Sequence, residues 1–305
     1  MYKRILMPID GSPGSEHTLV WGISFAKALN AEVAFLHVLE NPISGVYGLP
    51  GGAGYVDGLM RDLKEAGKTV LEDAKRRANE VGVTCDAFMR EDDHPARAIL
   101  QAENAYDLTV MGTHSRRGLD RLFLGSVTEA VLRRSDKPHL ILRSSDDDAS
   151  IPAASDQAAV EHILLPIAEG AASDSAVEEG LQLAKALGAR VTFMHALEVP
   201  VSVYTMPESM VYEPGILEEM KKAAQEVLKK AQSRASELGV ESEIRLVDSS
   251  NIRAETAILE AEAAFDLTVM ATHGRRGVNR ALLGSVTEGV LRQSSLPHLV
   301  VRCRE

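Results

Sequence analysis

Two short polar loops carry the residue types that handle phosphorylated ligands. The first is Asp10-Gly-Ser12, which closes the opening apolar run; the second is Gly112-Thr-His-Ser115, followed after nine intervening residues by Gly125-Ser-Val-Thr128. Glycine at 125 permits close backbone approach, and Ser126, Val127 and Thr128 offer amide protons and hydroxyls at a helix start, whose positive end attracts phosphate. A plain helix cap is the alternative reading of the same residues. Asp10 has the chemistry to accept hydrogen bonds from ribose hydroxyls or to help hold a metal. Asp and Ser are also favoured in turns and at N-caps, so Asp10-Gly-Ser-Pro-Gly-Ser15 is equally a turn leading into a helix.

The second loop occurs twice, about 159 residues apart. Aligning Ala105 to Arg143 with Ala264 to Arg302 gives 26 identities in 39 positions, which marks a tandem duplication. Apolar periodicity and cap residues predict strands at 3–9, 31–38, 84–90, 106–111 and 139–142, with helices at 12–29, 55–81, 95–104 and 126–135. The second half repeats the order, with strands at 162–166, 190–196, 243–247, 265–270 and 298–301 and helices at 173–187, 214–238, 253–263 and 285–294. Strict alternation of this kind implies the α/β class, with parallel sheets covered by helices on both faces and right-handed crossovers. Residues 41–54, with five glycines and two prolines, read as a long loop, and Ser144 to Ala159 as an exposed linker.

In an open doubly wound sheet, ligands bind outside the carboxyl ends of the strands where the strand order reverses. With the first strand central and the fourth beside it, the Ile9–Ser12 and Gly112–Ser115 loops flank one crevice. No Gly-x-Gly-x-x-Gly follows the first strand and no Gly-x-x-x-x-Gly-Lys-Ser/Thr occurs, which excludes the usual dinucleotide and phosphate-loop signatures.

The chain has 305 residues, 45% hydrophobic and 25% charged, enough for two cores. A net charge of −11 argues against nucleic acid as a partner, since a phosphate backbone needs a basic face. The clustered Arg116, Arg117 and Arg121, and Arg275, Arg276 and Arg280, suit a small anion, a solvated face or an interface with acidic groups. No long apolar run is present and Met1–Asp10 begins as a strand, so the expectation is a cytoplasmic protein with no membrane attachment. Cys85 and Cys303 read as reduced thiols outside any metal spacing. His37 and His195 close the second strand of each half, and His114 and His273 lie in the repeated loops. These are candidates for acid–base work or for structural hydrogen bonds. His139 and His298, each after a proline, read as structural.

Met111-Gly-Thr-His-Ser-Arg-Arg-Gly118, with Gly125-Ser-Val-Thr-Glu129 and Pro8-Ile-Asp-Gly-Ser12, resembles the universal stress protein family, over both halves but not the linker. The resemblance implies two tandem Rossmann-like (adenine nucleotide alpha-hydrolase-like) domains, 1–144 and 160–305 joined by 145–159, each a five-stranded parallel sheet. The family's ATP-binding branch carries Gly, two residues, Gly, nine residues, Gly, then Ser or Thr. Its implied binding set here is Pro8, Ile9, Asp10, Val38, Met111, Gly112, His114, Ser115, Gly125, Ser126, Val127 and Thr128. In the second half the set is Ile167, Ala196, Met270, Ala271, His273, Gly274, Gly284, Ser285, Val286 and Thr287.

Each half departs from that pattern. The first has Ser115 for the second glycine; the second has Ala271 for the first glycine, and Ala168-Glu169-Gly170 where the first has Asp10-Gly11-Ser12. The first half therefore keeps more of an ATP site. The resemblance implies an adenine nucleotide ligand (ATP, ADP or AMP, with or without Mg2+), dimer-like pairing, and a role as a nucleotide-dependent stress-response switch or sensor. No water-activating residue is evident, so slow ATP hydrolysis is the weaker reading, and a nucleotide-free interaction protein of the same fold is the third.

Overall fold

The computed structural model describes residues 1–40, 52–92, 94–113, 124–143, 160–197, 215–248, 252–272 and 283–302. The chain divides into two compact units that meet in sequence at Ala158 and Ala159. In the first, the elements are β1 (Arg4–Pro8), α1 (Pro13–Ala28), β2 (Glu32–Leu39), α2 (Gly52–Glu80), β3 (Cys85–Glu91), α3 (Pro95–Ala102), β4 (Leu108–Thr113), α4 (Ser126–Arg134) and β5 (His139–Arg143). The second runs β6 (His162–Pro166), α5 (Ala171–Leu187), β7 (Arg190–Leu197), α6 (Gly215–Leu238), β8 (Ser242–Asp248), α7 (Ala254–Glu262), β9 (Leu267–Ala271), α8 (Ser285–Gln293) and β10 (His298–Val301).

Within the first unit the strand order is β3-β2-β1-β4-β5, and within the second β8-β7-β6-β9-β10. Strand pairing is parallel between β1 and β2, β1 and β4, and β4 and β5, and likewise between β6 and β7, β6 and β9, and β9 and β10. The order reverses between β1 and β4, and between β6 and β9, as the alternating pattern requires for a doubly wound sheet. Central strands are buried on both faces, so they read as continuous apolar runs: Ile5, Leu6 and Met7 in β1 and Ile163, Leu164 and Leu165 in β6 are all fully buried. Helices α1 and α2 follow strands that step one way across the sheet, α3 and α4 strands that step the other. Right-handed crossovers therefore put the two pairs on opposite faces.

One expectation needs correction. The glycine-rich stretch 41–54 reads as loop to its end, yet α2 begins at Gly52 and takes in Gly54. Each glycine costs about 1 kcal/mol against alanine, but extending an existing helix costs far less than starting one, so the 29-residue helix runs back through them. Residues 41–51, and the linker from 144 to 159, lie outside the described residues. Among the described residues, no helix is long and apolar enough to cross a membrane.

At the amino ends of the central strands a carboxylate holds the sheet together. Asp107 accepts from the amides of Lys3 (2.8 Å) and Arg4 (2.9 Å), and Asp266 does the same for Glu161 (2.9 Å) and His162 (2.8 Å). His139 and His298 are buried against Glu103 (3.1 Å) and Glu262 (2.8 Å), each joining the last strand of its unit to the turn or helix before the fourth. Glu262 also accepts from Thr268 (2.9 Å) and Ser294 (2.5 Å). These two histidines are structural, as their position after proline suggests.

Candidate functional site

In the first unit, the residues that could do chemistry gather at the carboxyl ends of β1, β2 and β4, at the reversal point. Ile9 is buried and its amide donates to the Leu36 carbonyl at 2.9 Å, which carries the β1–β2 pairing one residue past the strand. Asp10 then leaves the sheet, exposed to solvent, with Oδ1 accepting from the Ser12 amide at 3.0 Å. Gly11 has φ +76, a region that side chains avoid, and a Cβ there would lie 2.6 Å from a Val70 methyl on α2. Ser12 is the N-cap of α1, its Oγ accepting from Ser15 at 3.3 Å. The cap of the helix is Ser12, and Asp10 two residues before it is exposed.

His37 supports the loop from β2. Its Nδ1 meets the Ile9 carbonyl at 3.0 Å, and His195 meets Ile167 in the same way at 2.9 Å. A carbonyl only accepts, so Nδ1 carries the proton in each, and the ring holds the backbone that presents residue 10 or 168. The contact positions the loop. Burial lowers the pKa of His195 from its ordinary value, against a smaller opposing effect of the Ile167 bond. Val38 and Ala196, next along the strands, are half-buried.

From β4, Met111 is buried and Gly112 half-buried. Gly125, with φ +76 and ψ 134, precedes α4; Ser126 is exposed, Val127 half-buried and Thr128 buried. Thr128 Oγ1 donates to the Gly112 carbonyl at 2.9 Å. A hydroxyl has one proton, so Thr128 uses it to tie the helix start to the end of β4. Gly112 is explained by packing, because a Cβ there would meet Thr18 Oγ1 of α1 at 2.4 Å. Glu129, in the first turn of α4, pairs with Arg133 at 2.8 Å.

The second unit copies the frame and changes the loops. Ile167 is buried, Ala168 exposed, and the Ala168 amide donates to Ser173 Oγ at 3.0 Å. Gly170 takes the N-cap position with φ 128 and no side-chain cap. Met270 is buried, Ala271 half-buried, and Thr287 Oγ1 donates to the Ala271 carbonyl at 2.7 Å. Gly284 has φ −58, and its amide donates to the Thr272 carbonyl at 2.6 Å. Ser285 is exposed and Val286 half-buried.

His114, Ser115, His273 and Gly274, together with the six loop arginines, lie outside the described residues. Two contacts were missed in the sequence: Gly112 with Thr18, and His37 with Ile9. The first left a trace, because the alanine at 271 is matched by an alanine at 176, in the place of Thr18. Among the described residues, no group of three or more His, Cys, Asp or Glu side chains is arranged to hold a metal ion.

Each unit is thus a doubly wound α/β domain with its polar loops at the crevice of the strand reversal, the class that binds small ligands there. The profile of the universal stress protein family matches residues 1–143 and again 159–302, and the chain belongs to that family. A universal stress protein of Methanocaldococcus jannaschii is 36% identical over 145 residues, covering 47% of this chain and 83% of its own length. One from Mycobacterium tuberculosis strain H37Rv is 25% identical over 304 residues, covering 98% of this chain and 96% of its own. That relative shares the tandem arrangement. The crystal structure of a universal stress protein from Archaeoglobus fulgidus superposes with a TM-score of 0.70 at 19% identity, covering 99% of this chain and 97% of that one, and so shares its fold.

Proposed function

We propose that the first half of this chain binds an adenine nucleotide, ATP in the first instance with ADP or AMP as alternatives, and that the protein acts as a nucleotide-dependent stress-response switch. One observation carries the reading: the exposed Asp10 carboxylate and the Gly125–Ser126 helix start lie at the ends of adjacent strands, β1 and β4, where the sheet order reverses. Asp10 has the chemistry to accept from ribose hydroxyls. Ser126 and the amides of the first turn of α4 suit phosphate oxygens. Pro8, Ile9, Val38 and Met111 supply the apolar margin, and Asp10 is the carboxylate of this set that would meet a Mg2+ accompanying the triphosphate. The family's ATP-binding motif, retained here with one serine for glycine, supports the same assignment.

Binding without turnover is part of this proposal. Of the nearby side chains, the Thr128 hydroxyl donates to the Gly112 carbonyl and His37 uses its Nδ1 on the Ile9 carbonyl, so both serve to hold the loops. The direct test is to heat-denature the purified protein, identify any released small molecule, and then follow thermal unfolding with ATP at millimolar concentration, with and without Mg2+. A ligand at about 100 times its Kd stabilises by about 2.7 kcal/mol. A melting temperature that ATP, ADP and AMP all leave unchanged refutes the proposal in favour of a nucleotide-free interaction protein. Phosphate release over hours, lost on Asp10→Ala, favours the hydrolase instead. Pairing of two chains, with or without nucleotide, is read in the same samples by sedimentation.

A further inference from the structure

We infer that each chain takes one adenine nucleotide, in its first half, and that the matching seat in the second half is closed by the chain's own backbone. The inference rests on the nucleotide reading above and adds which half carries it. Three differences between the copies converge on it.

The first is at the helix start. The Gly284 amide already donates to the Thr272 carbonyl at 2.6 Å, so its proton is committed before any phosphate arrives. The closure is tight: a Cβ at Gly284 would itself lie 2.6 Å from the Thr272 oxygen. Gly125, at the same place in the first half, follows a different backbone course, with φ +76 against −58 for Gly284.

The second is the loop after the central strand. Ala168 stands where Asp10 stands in the first half, so that position offers no carboxylate to a ribose. The Ala168 amide instead donates to Ser173 Oγ at 3.0 Å. In the first half the loop is held by a different bond, with the Asp10 carboxylate accepting from the Ser12 amide at 3.0 Å.

The third is charge. Glu169 is exposed one position beyond Ala168, where the first half has Gly11. The negative charge of the loop is thereby moved one residue along from the place of Asp10, and the first-half loop has no side chain at this position.

Equilibrium dialysis of the full-length chain, freed of copurified nucleotide, against radiolabelled ATP and Mg2+ tests the inference. The expected result is one equivalent bound per chain, with affinity lowered about tenfold or more by Asp10→Ala, the size of one lost hydrogen bond to a charged group. Asp10 is solvent-exposed, and an unchanged circular dichroism melt confirms that the variant is folded. Two equivalents per chain, or a single equivalent whose affinity Asp10→Ala leaves unchanged, overturns this inference while the nucleotide reading stands. No bound ATP at all overturns both.

Discussion

Gly112 is a glycine because Thr18 stands against it: a Cβ at 112 would lie 2.4 Å from the Thr18 hydroxyl oxygen, which itself contacts the Gly14 carbonyl at 3.4 Å. The packing of α1 is thus by itself enough to require the first glycine of the repeated loop. In the second half both members change together, Ala271 for Gly112 and Ala176 for Thr18, and Ala176 is fully buried on α5. The methyl at the first motif position thus comes with a smaller residue at the matching place on the helix.

Gly112→Ala is accordingly expected to destabilise the first half by about 1–3 kcal/mol, the usual cost of forcing an extra methyl into a filled site. Adding Thr18→Ala should recover most of that loss. Melting temperatures of the two single variants and the double variant measure the coupling, and simple additivity would count against the contact.

Thr128→Val removes the hydroxyl that donates to the Gly112 carbonyl and keeps the shape of the side chain. A buried acceptor left without its donor costs about 1–3 kcal/mol. The variant should melt lower, and its ATP affinity should fall because the helix start is no longer tied to β4. Thr128→Ser keeps the donor and should keep the affinity. A loss in Thr128→Ser with none in Thr128→Val would mean that the methyl, not the hydroxyl, matters.

His37→Ala removes the ring that holds the Ile9 carbonyl beneath Asp10. ATP binding is expected to weaken by about fivefold, the scale of about 1 kcal/mol for one hydrogen bond. His195→Ala, which removes the same support in the second half, should leave ATP binding unchanged. Calorimetry with the reverse order would show that the second half carries the site.

Acidification should loosen the fold in a defined window. Burial is the leading cause that lowers the pKa of His195, His17 and His162 from the ordinary 6.5. Each binds fewer protons folded than unfolded, so its contribution is complete above pH 6.5 and is lost as pH falls through the folded value. Asp107 follows with the same sign at lower pH. Burial raises its pKa, but the Lys3 and Arg4 amides outweigh this and hold it below 3.8, so that contribution fades as pH drops through the folded value. The melting temperature should fall between pH 7.5 and 5.5, and His195→Gln should make that fall smaller. A variant as pH-sensitive as the parent protein would contradict the assignment to His195.

The duplication, the alternation of strands and helices, the parallel sheets and the polar loops at the strand ends were all legible in the residues. Each is written locally: a buried central strand is a continuous apolar run such as Ile5–Met7, and a helix start is a short signal such as Gly125-Ser126. The loss of Asp10 at Ala168 needed only the alignment of one half on the other. Helix edges were less legible, as α2 shows, because a formed helix extends through Gly52 and Gly54 against their own preference.

Periodicity says which residues are buried but not what they are buried against. That Gly112 faces Thr18, that His37 holds Ile9, and that the Gly284 amide turns onto Thr272 are contacts between segments that only the sheet order brings side by side. Two helix starts of the same Gly-Ser-Val-Thr-Glu sequence thereby acquire different backbone courses, because a glycine accepts either and its surroundings choose. Residue identity alone set the same helix-start sequence in both halves; tertiary packing decided the backbone course of each and committed the Gly284 amide to the Thr272 carbonyl.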